Sequence, residues 1–133
     1  MEARSFDFEL DYPDVYKWWS DWGMNPILPD YLPSNGIMIE NNNEKLCCGF
    51  IYMTDSDYCI ISWILRNKKA KKENRINCMN FLIKNLIEKV KEMGYKACRL
   101  EIDIKEENML KKFDKFGFVR EDNVQITTLL ING

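Results

Sequence analysis

Six of the ten residues from Arg66 to Arg75 are cations: Arg66, Lys68, Lys69, Lys71, Lys72 and Arg75. They run directly into a long helical pattern. A helix N-terminus offers unpaired amide N–H groups and the positive end of the backbone dipole. Cations beside it make a phosphate or carboxylate site, although the same run would also serve as a solvated surface loop. Glu101 stands on the polar face of an alternating stretch, where a carboxylate can take or hold a proton. Asn108 follows in a short polar turn, at the expected start of a second helix, where its side chain suits an N-cap. Ser62 has no His to activate it, because the chain contains none. The five cysteines (47, 48, 59, 78 and 98) are odd in number and lack the Cys-x-x-Cys spacing. Neither a metal site nor a disulfide framework is therefore expected; free, buried thiols in a reducing compartment are.

A chain of 133 residues, 46% hydrophobic and 13% aromatic, fits one domain with a packed core. The net charge of −2 conceals a strong asymmetry. Residues 1–65 carry 3 basic and 11 acidic side chains, whereas residues 66–93 carry 9 basic and 3 acidic. One basic block in an otherwise acidic chain suggests one anionic ligand. A Lys run without interleaved exposed aromatics does not make a nucleic-acid surface. The N-terminus has no apolar leader and no apolar run is long enough to span a bilayer, so a cytoplasmic protein without membrane association is expected.

The elements that must position these residues can be read from periodicity. Ser5–Leu10 alternates as a strand, and Asp11 with Pro13 resembles the start of a helix running to Trp22, with Val15, Trp18, Trp19 and Trp22 on one face. Pro26, Pro29 and Pro33 make the next segment an irregular connection. Gly36–Glu40 and Lys45–Met53 form a hairpin, and Tyr58–Leu65, apolar on both faces apart from Ser62, reads as a central strand. The longest helix spans from Asn74 or Arg75 to Met93, burying Met79, Leu82, Ile83, Leu86, Ile87, Val90 and Met93. Residues 96–104 alternate, with Cys98, Leu100, Ile102 and Ile104 inward. Met109–Phe116 is a short helix stopped by Gly117, and Phe118–Glu121 and Gln125–Ile131 read as two last strands. The fold class is mixed α+β, in the order β-α-β-β-β-α-β-α-β-β, with a mixed sheet and helices on both faces.

This order, and the strand–turn–helix unit from Lys96 through Asn108 to Gly117-Phe118, resemble the GNAT family of acyl-CoA-dependent N-acyltransferases, without that family's second helix. The resemblance covers nearly the whole chain. Tyr12-Pro13, Trp18-Trp19, Trp22-Gly23 and Leu32-Pro33 are also similar in style to short bacteriophage-encoded GNAT-like proteins.

The resemblance implies acetyl-CoA or a related acyl-CoA as cosubstrate and an amine as acceptor, with no metal. The CoA pyrophosphate would lie on Arg66, Lys72, Arg75, Ile76, Asn77 and Cys78. Asn74–Met79 matches the family's Arg/Gln-x-x-Gly-x-Gly/Ala motif in position but lacks both glycines. A backbone N–H near Ile64 or Leu65 would polarise the thioester carbonyl. Asn108 would contact the CoA arm, and Glu101, with Glu40 behind it, is the candidate base. Phe113 occupies the position where many members carry the Tyr that protonates the leaving thiolate. Phe has no such proton. The departures from the family pattern keep a second expectation open: a GNAT-like scaffold without catalysis that binds a protein partner, as a virion component or a host-interaction factor acting in the host cytoplasm.

Overall fold

The computed structural model describes residues 1–131. Strand β1 (Glu2–Ser5) leads into helix α1 (Phe8–Asp21), and a single 3₁₀ turn at Pro29–Tyr31 stands where a second helix could have formed. Strands β2 (Asn35–Asn41), β3 (Glu44–Tyr52) and β4 (Tyr58–Arg66) follow, then a one-turn helix α2 (Lys72–Arg75), the long α3 (Cys78–Glu92), β5 (Ala97–Leu100) and α4 (Glu107–Lys115). The five strands lie in sequence order; β1 to β4 are antiparallel and β5 runs parallel to β4. The β2–β3 turn places Asn42 and Asn43 at φ 50° and 63°. Asn tolerates this left-handed region, and the turn matches the twist of the strands it joins.

Two apolar layers sandwich the sheet. On one face Val15, Trp18 and Trp19 of α1 pack on Met38, Cys48, Phe50 and Leu65. On the other, Met79, Leu82, Ile83, Leu86 and Val90 of α3 join Met109 and Phe113 of α4 over Ile39, Cys47, Ile51, Cys59 and Ile61. The predicted stripe of α3 thus faces the sheet. Ile87 and Met93, at its edge, are only partly buried.

Several boundaries differ from the sequence reading. Residues 5–10 are not a strand: β1 ends at Ser5 and α1 begins at Phe8. Asp7, not Asp11, is the N-cap, its carboxylate accepting from Leu10 N at 3.1 Å. Asp11 lies inside the helix with Pro13, and is fully buried. Its carboxylate accepts from both terminal nitrogens of Arg4 at 2.7 Å and from Asp7 N at 2.8 Å, and Lys45 Nζ lies 3.0 Å away. The expected single helix 75–93 is broken at Asn77, whose φ of 64° separates α2 from α3. Strand β5 stops at Leu100, leaving Ile104 exposed. Residues 118–131 form no strands. Strand propensity needs a ladder partner and a face to cover. This segment pairs with none, and Val119, Val124, Ile126, Leu129, Leu130 and Ile131 are exposed.

Burial alone would raise the Asp11 carboxyl, but hydrogen bonds from Arg4, Asp7 N–H and Lys45 outweigh it and hold it below the usual range near 3.8. A carboxylate held low in the folded state stabilises it fully above the unfolded value. That contribution is lost as the pH falls through the folded value. Asp11→Asn should cost about 3 kcal/mol at pH 7, the low end for breaking a buried pair, because Arg4 keeps Glu40 and Lys45 keeps Asp14. In urea unfolding the gap between wild type and variant should narrow as the pH drops below about 4; a gap independent of pH would refute the assignment. Leu86→Ala, at a fully buried position, should lower stability by about 2–5 kcal/mol in the same assay.

Candidate functional site

Strands β4 and β5 share a ladder only from Tyr58↔Ala97 to Ile61↔Leu100, closed by Glu101 N donating to Ile61 O at 3.0 Å. Beyond this point β4 continues to Arg66 with no partner from β5, so the sheet opens. The opening starts at a bulge. Cys48 faces Leu65 and Phe50 faces Ser62, so Trp63 and Ile64 together oppose Gly49. Trp63 takes φ 54°, a rare conformation for a bulky residue and one concentrated at functional sites. Gly49 makes the bulge feasible, since a Cβ there would stand 2.8 Å from Ile64 Cδ1 and 3.0 Å from Leu86 Cδ1. Ile64 and Leu65, the positions expected to polarise a carbonyl, follow the kink immediately. Ile64 turns toward the α3 layer and Leu65 toward the α1 layer.

The far end of the opening is a cavity of about 190 Å³, lined by Arg66, Met79, Lys105, Glu106, Glu107, Asn108, Met109 and Lys112. Arg66 comes from the end of β4, Met79 from the first turn of α3, and the rest from α4 and the turn that leads into it. The structure therefore brings Arg66 and Asn108 to one cavity. Asn108 is not the expected N-cap: α4 starts at Glu107, capped by Glu106 without a side-chain bond, so Asn108 lies within the first turn. Lys72, Arg75, Ile76 and Asn77 are exposed beside the cavity but do not line it. Lys105 and Lys112 were not anticipated. The signal was present, because Lys112 lies one helical turn after Asn108 and shares its face. Glu40 lies apart from the opening, on the edge-strand side of the sheet, bound to Arg4 at 2.6 Å.

Arg66 is fixed from both sides. Its guanidinium stacks on Trp22 at 5.0 Å and reaches Glu106 at 3.5 Å, while its carbonyl accepts from Trp22 Nε1 at 2.9 Å. The basic loop is tied to the β2–β3 hairpin by amides. Asn67 N and Nδ2 donate to Leu46 O and Lys45 O at 2.8 and 2.9 Å. Asn74, 5% exposed, accepts from Asn42 Nδ2 at 2.9 Å and donates to Glu44 Oε1 at 2.9 Å, and the same oxygen takes Lys71 N at 3.0 Å.

Cys78, the first residue of α3, is 7% exposed, and the Cys47 thiol lies 3.6 Å from its carbonyl oxygen. The neighbouring Cys47 thiol, with Arg66, Met79 N–H and Arg75, outweighs burial and holds the Cys78 thiol below its usual range. Cys47, as the donor in a dry site, keeps its proton well above the usual range. Phe113 is 1% exposed and meets Phe118 edge-on at 5.2 Å, in the core rather than in the cavity lining. Among the described residues no group of three or more His, Cys, Asp or Glu could hold a metal, and no helix is long and apolar enough to cross a membrane.

No family model matches the chain, and no curated protein matches it. Solved structures do. A Trypanosoma brucei acetyltransferase is similar at TM-score 0.67 and 13% identity, over 96% of this chain and 99% of its own. A probable acetyltransferase is similar at TM-score 0.66 and 16% identity, over 100% of this chain and 99% of its own. A transcriptional regulator of Bacillus halodurans is similar at TM-score 0.68 and 14% identity, over 98% and 99%. The fold is that of these solved structures, a single mixed α+β domain with a five-stranded mixed sheet.

The thiol geometry can be tested. The pH midpoint of iodoacetamide labelling should be lower for Cys78 than for the other four cysteines, because the thiolate is the reacting form. Cys47→Ala should move that midpoint upward. Peptide mass spectrometry giving Cys98 a lower labelling midpoint than Cys78 would contradict the assigned ionisation.

Proposed function

We propose that the chain is an acyl-CoA-binding N-acyltransferase acting from one GNAT-type domain. The observation that carries this reading is the opening between β4 and β5, which ends in a cavity with Arg66, Lys105, Lys112 and Asn108 on its walls. The cations suit the phosphates of CoA, the parted strands suit a thin extended arm, and the bulged stretch at Trp63–Leu65 suits contact with a carbonyl through backbone N–H. The reaction is direct. An ammonium acceptor loses a proton to Glu101 or through water, and the amine nitrogen attacks the thioester carbonyl. The C–N bond forms, the C–S bond breaks, and the CoA thiolate takes up a proton. With Phe113 in place of a hydroxyl-bearing residue, that proton comes from solvent or from the attacking nitrogen.

A second reading, a scaffold of the same fold that acts by binding a protein, is favoured by the exposed apolar side chains between Val119 and Ile131 and by the missing glycines of the 74–79 stretch. The likeness to short phage-encoded proteins belongs with this reading.

Calorimetry with acetyl-CoA separates the two. Binding should be micromolar or weaker and should weaken with salt. Arg66→Ala and Lys112→Ala should each cost about 1.5–3 kcal/mol of binding, the range for hydrogen bonds to charged groups. Lys72→Ala and Arg75→Ala, outside the cavity, should cost less. No heat at millimolar acetyl-CoA would sink the acyltransferase reading.

A further inference from the structure

The α1 face of the same opening carries a second constellation. Tyr52 faces this layer from the end of β3, and its hydroxyl is held twice, donating to Tyr31 O at 2.7 Å and accepting from Trp63 Nε1 at 2.7 Å. These bonds join the 3₁₀ turn, β3 and the bulge of β4, and fix the Trp63 ring although its backbone is strained. Trp63 and Tyr52 are both partly exposed. Glu101, where β5 leaves β4, projects to this face, because Cys98, Leu100 and Ile102 take the other. The residue is partly buried, and among the described residues its carboxylate has neither an ion pair nor a hydrogen bond. Its charge reaches Tyr52: burial raises the Tyr52 phenol most, Trp63 N–H opposes this, and Glu101 adds to the rise. The adjoining connection leaves Leu28 and Tyr31 each 56% exposed. A partly buried acidic residue without a counter-ion, on the same face of the sheet as two hydrogen-bonded aromatic side chains, has a definite complement. A cation held there gains both the ion pair and the ring faces.

We infer that this face is the acceptor site, and that it takes a primary ammonium bearing an apolar group: the ammonium at Glu101, the apolar part on Trp63 and Tyr31. The inference rests on the acyltransferase reading for the word acceptor, but not for the binding itself. One carboxylate among aromatic and aliphatic side chains selects one positive charge followed by an apolar body. It does not select a polyamine, whose further charges would find no partners there, nor an amino acid, whose carboxylate would be repelled by Glu101.

The test uses ligands alone, without acyl-CoA. 2-Phenylethylamine, 2-phenylethanol and spermidine are titrated into the intact protein and followed by ligand-observed NMR. Wild type should bind 2-phenylethylamine saturably, and 2-phenylethanol and spermidine at least tenfold more weakly. Glu101→Gln should weaken the amine at least tenfold while leaving the alcohol unchanged. Tyr52→Phe, which frees the Trp63 ring, should weaken amine and alcohol alike by a few-fold. Equal binding of amine and alcohol, tighter binding of spermidine, an unaffected Glu101→Gln variant, or no binding of the amine would each overturn the inference. If the amine binds as described while acetyl-CoA gives no heat, the ammonium site stands and the transferase reading fails.

Discussion

Everything functional in this chain depends on the parting of two parallel strands. β4 is nine residues long and β5 four, so the ladder between them must end while β4 continues. An unpaired strand flank exposes hydrogen-bonding groups, and proteins cover or use them. Here the bulge at Trp63 turns the local geometry just past the last shared pair. The helices α3 and α4 close over one face of the gap, and the Pro29–Tyr31 turn lies by the other. A cavity with cationic walls and an aromatic face with a carboxylate thus flank one slot from opposite sides. On the proposed reading, that arrangement would place a donor and an acceptor within reach of each other without either occupying the other's surface.

The absence of a full second helix has a related effect. The three prolines of residues 26–33 prevent a regular run there, and only the 3₁₀ turn forms. Trp63 and Tyr52 stay partly exposed and are braced by the Tyr31 carbonyl and by the hydrogen bond between them. The aromatic excess on α1 is mainly core, as the burial of Trp18 and Trp19 establishes. Trp22 departs from this, serving as a platform for Arg66 and for Lys68, whose ammonium stands 4.9 Å from the ring.

The long-period features were legible in the sequence: the apolar stripe of α3, the Asn-rich hairpin, the doubly apolar central strand and the order of elements through α4. They rest on burial that repeats over many residues, so small errors of register cancel. Features set by single tertiary contacts were not legible. Asp11 has the composition of a cap, yet Arg4 of β1 and Lys45 of β3 draw it inward and leave capping to Asp7. Asn77 breaks a helix whose periodicity runs straight through it. The alternation at 118–131 is genuine as a pattern, but pairing is a property of two segments and cannot be read from one. At the site, Arg66, Asn108 and Glu101 were visible by type. Lys112 could have been found from its spacing to Asn108; Lys105, Tyr52 and Trp63 could not, because their part depends on where β4 and β5 separate, which no local pattern encodes.

The amide clamp on the basic loop has one more consequence. Asn67, Asn74 and Lys71 N tie the loop to the hairpin mainly through neutral donors and acceptors, with Glu44 the charged partner there; Lys69–Asp21 and Arg66–Glu106 are ion pairs made elsewhere. Salt therefore acts on the loop's field and hardly on its shape. A binding curve that declines with ionic strength would count charges meeting an anion, undistorted by a loop that changes conformation along the way. In such a scaffold the electrostatics can be retuned by evolution one lysine at a time, while the backbone that displays them stays where the asparagines put it.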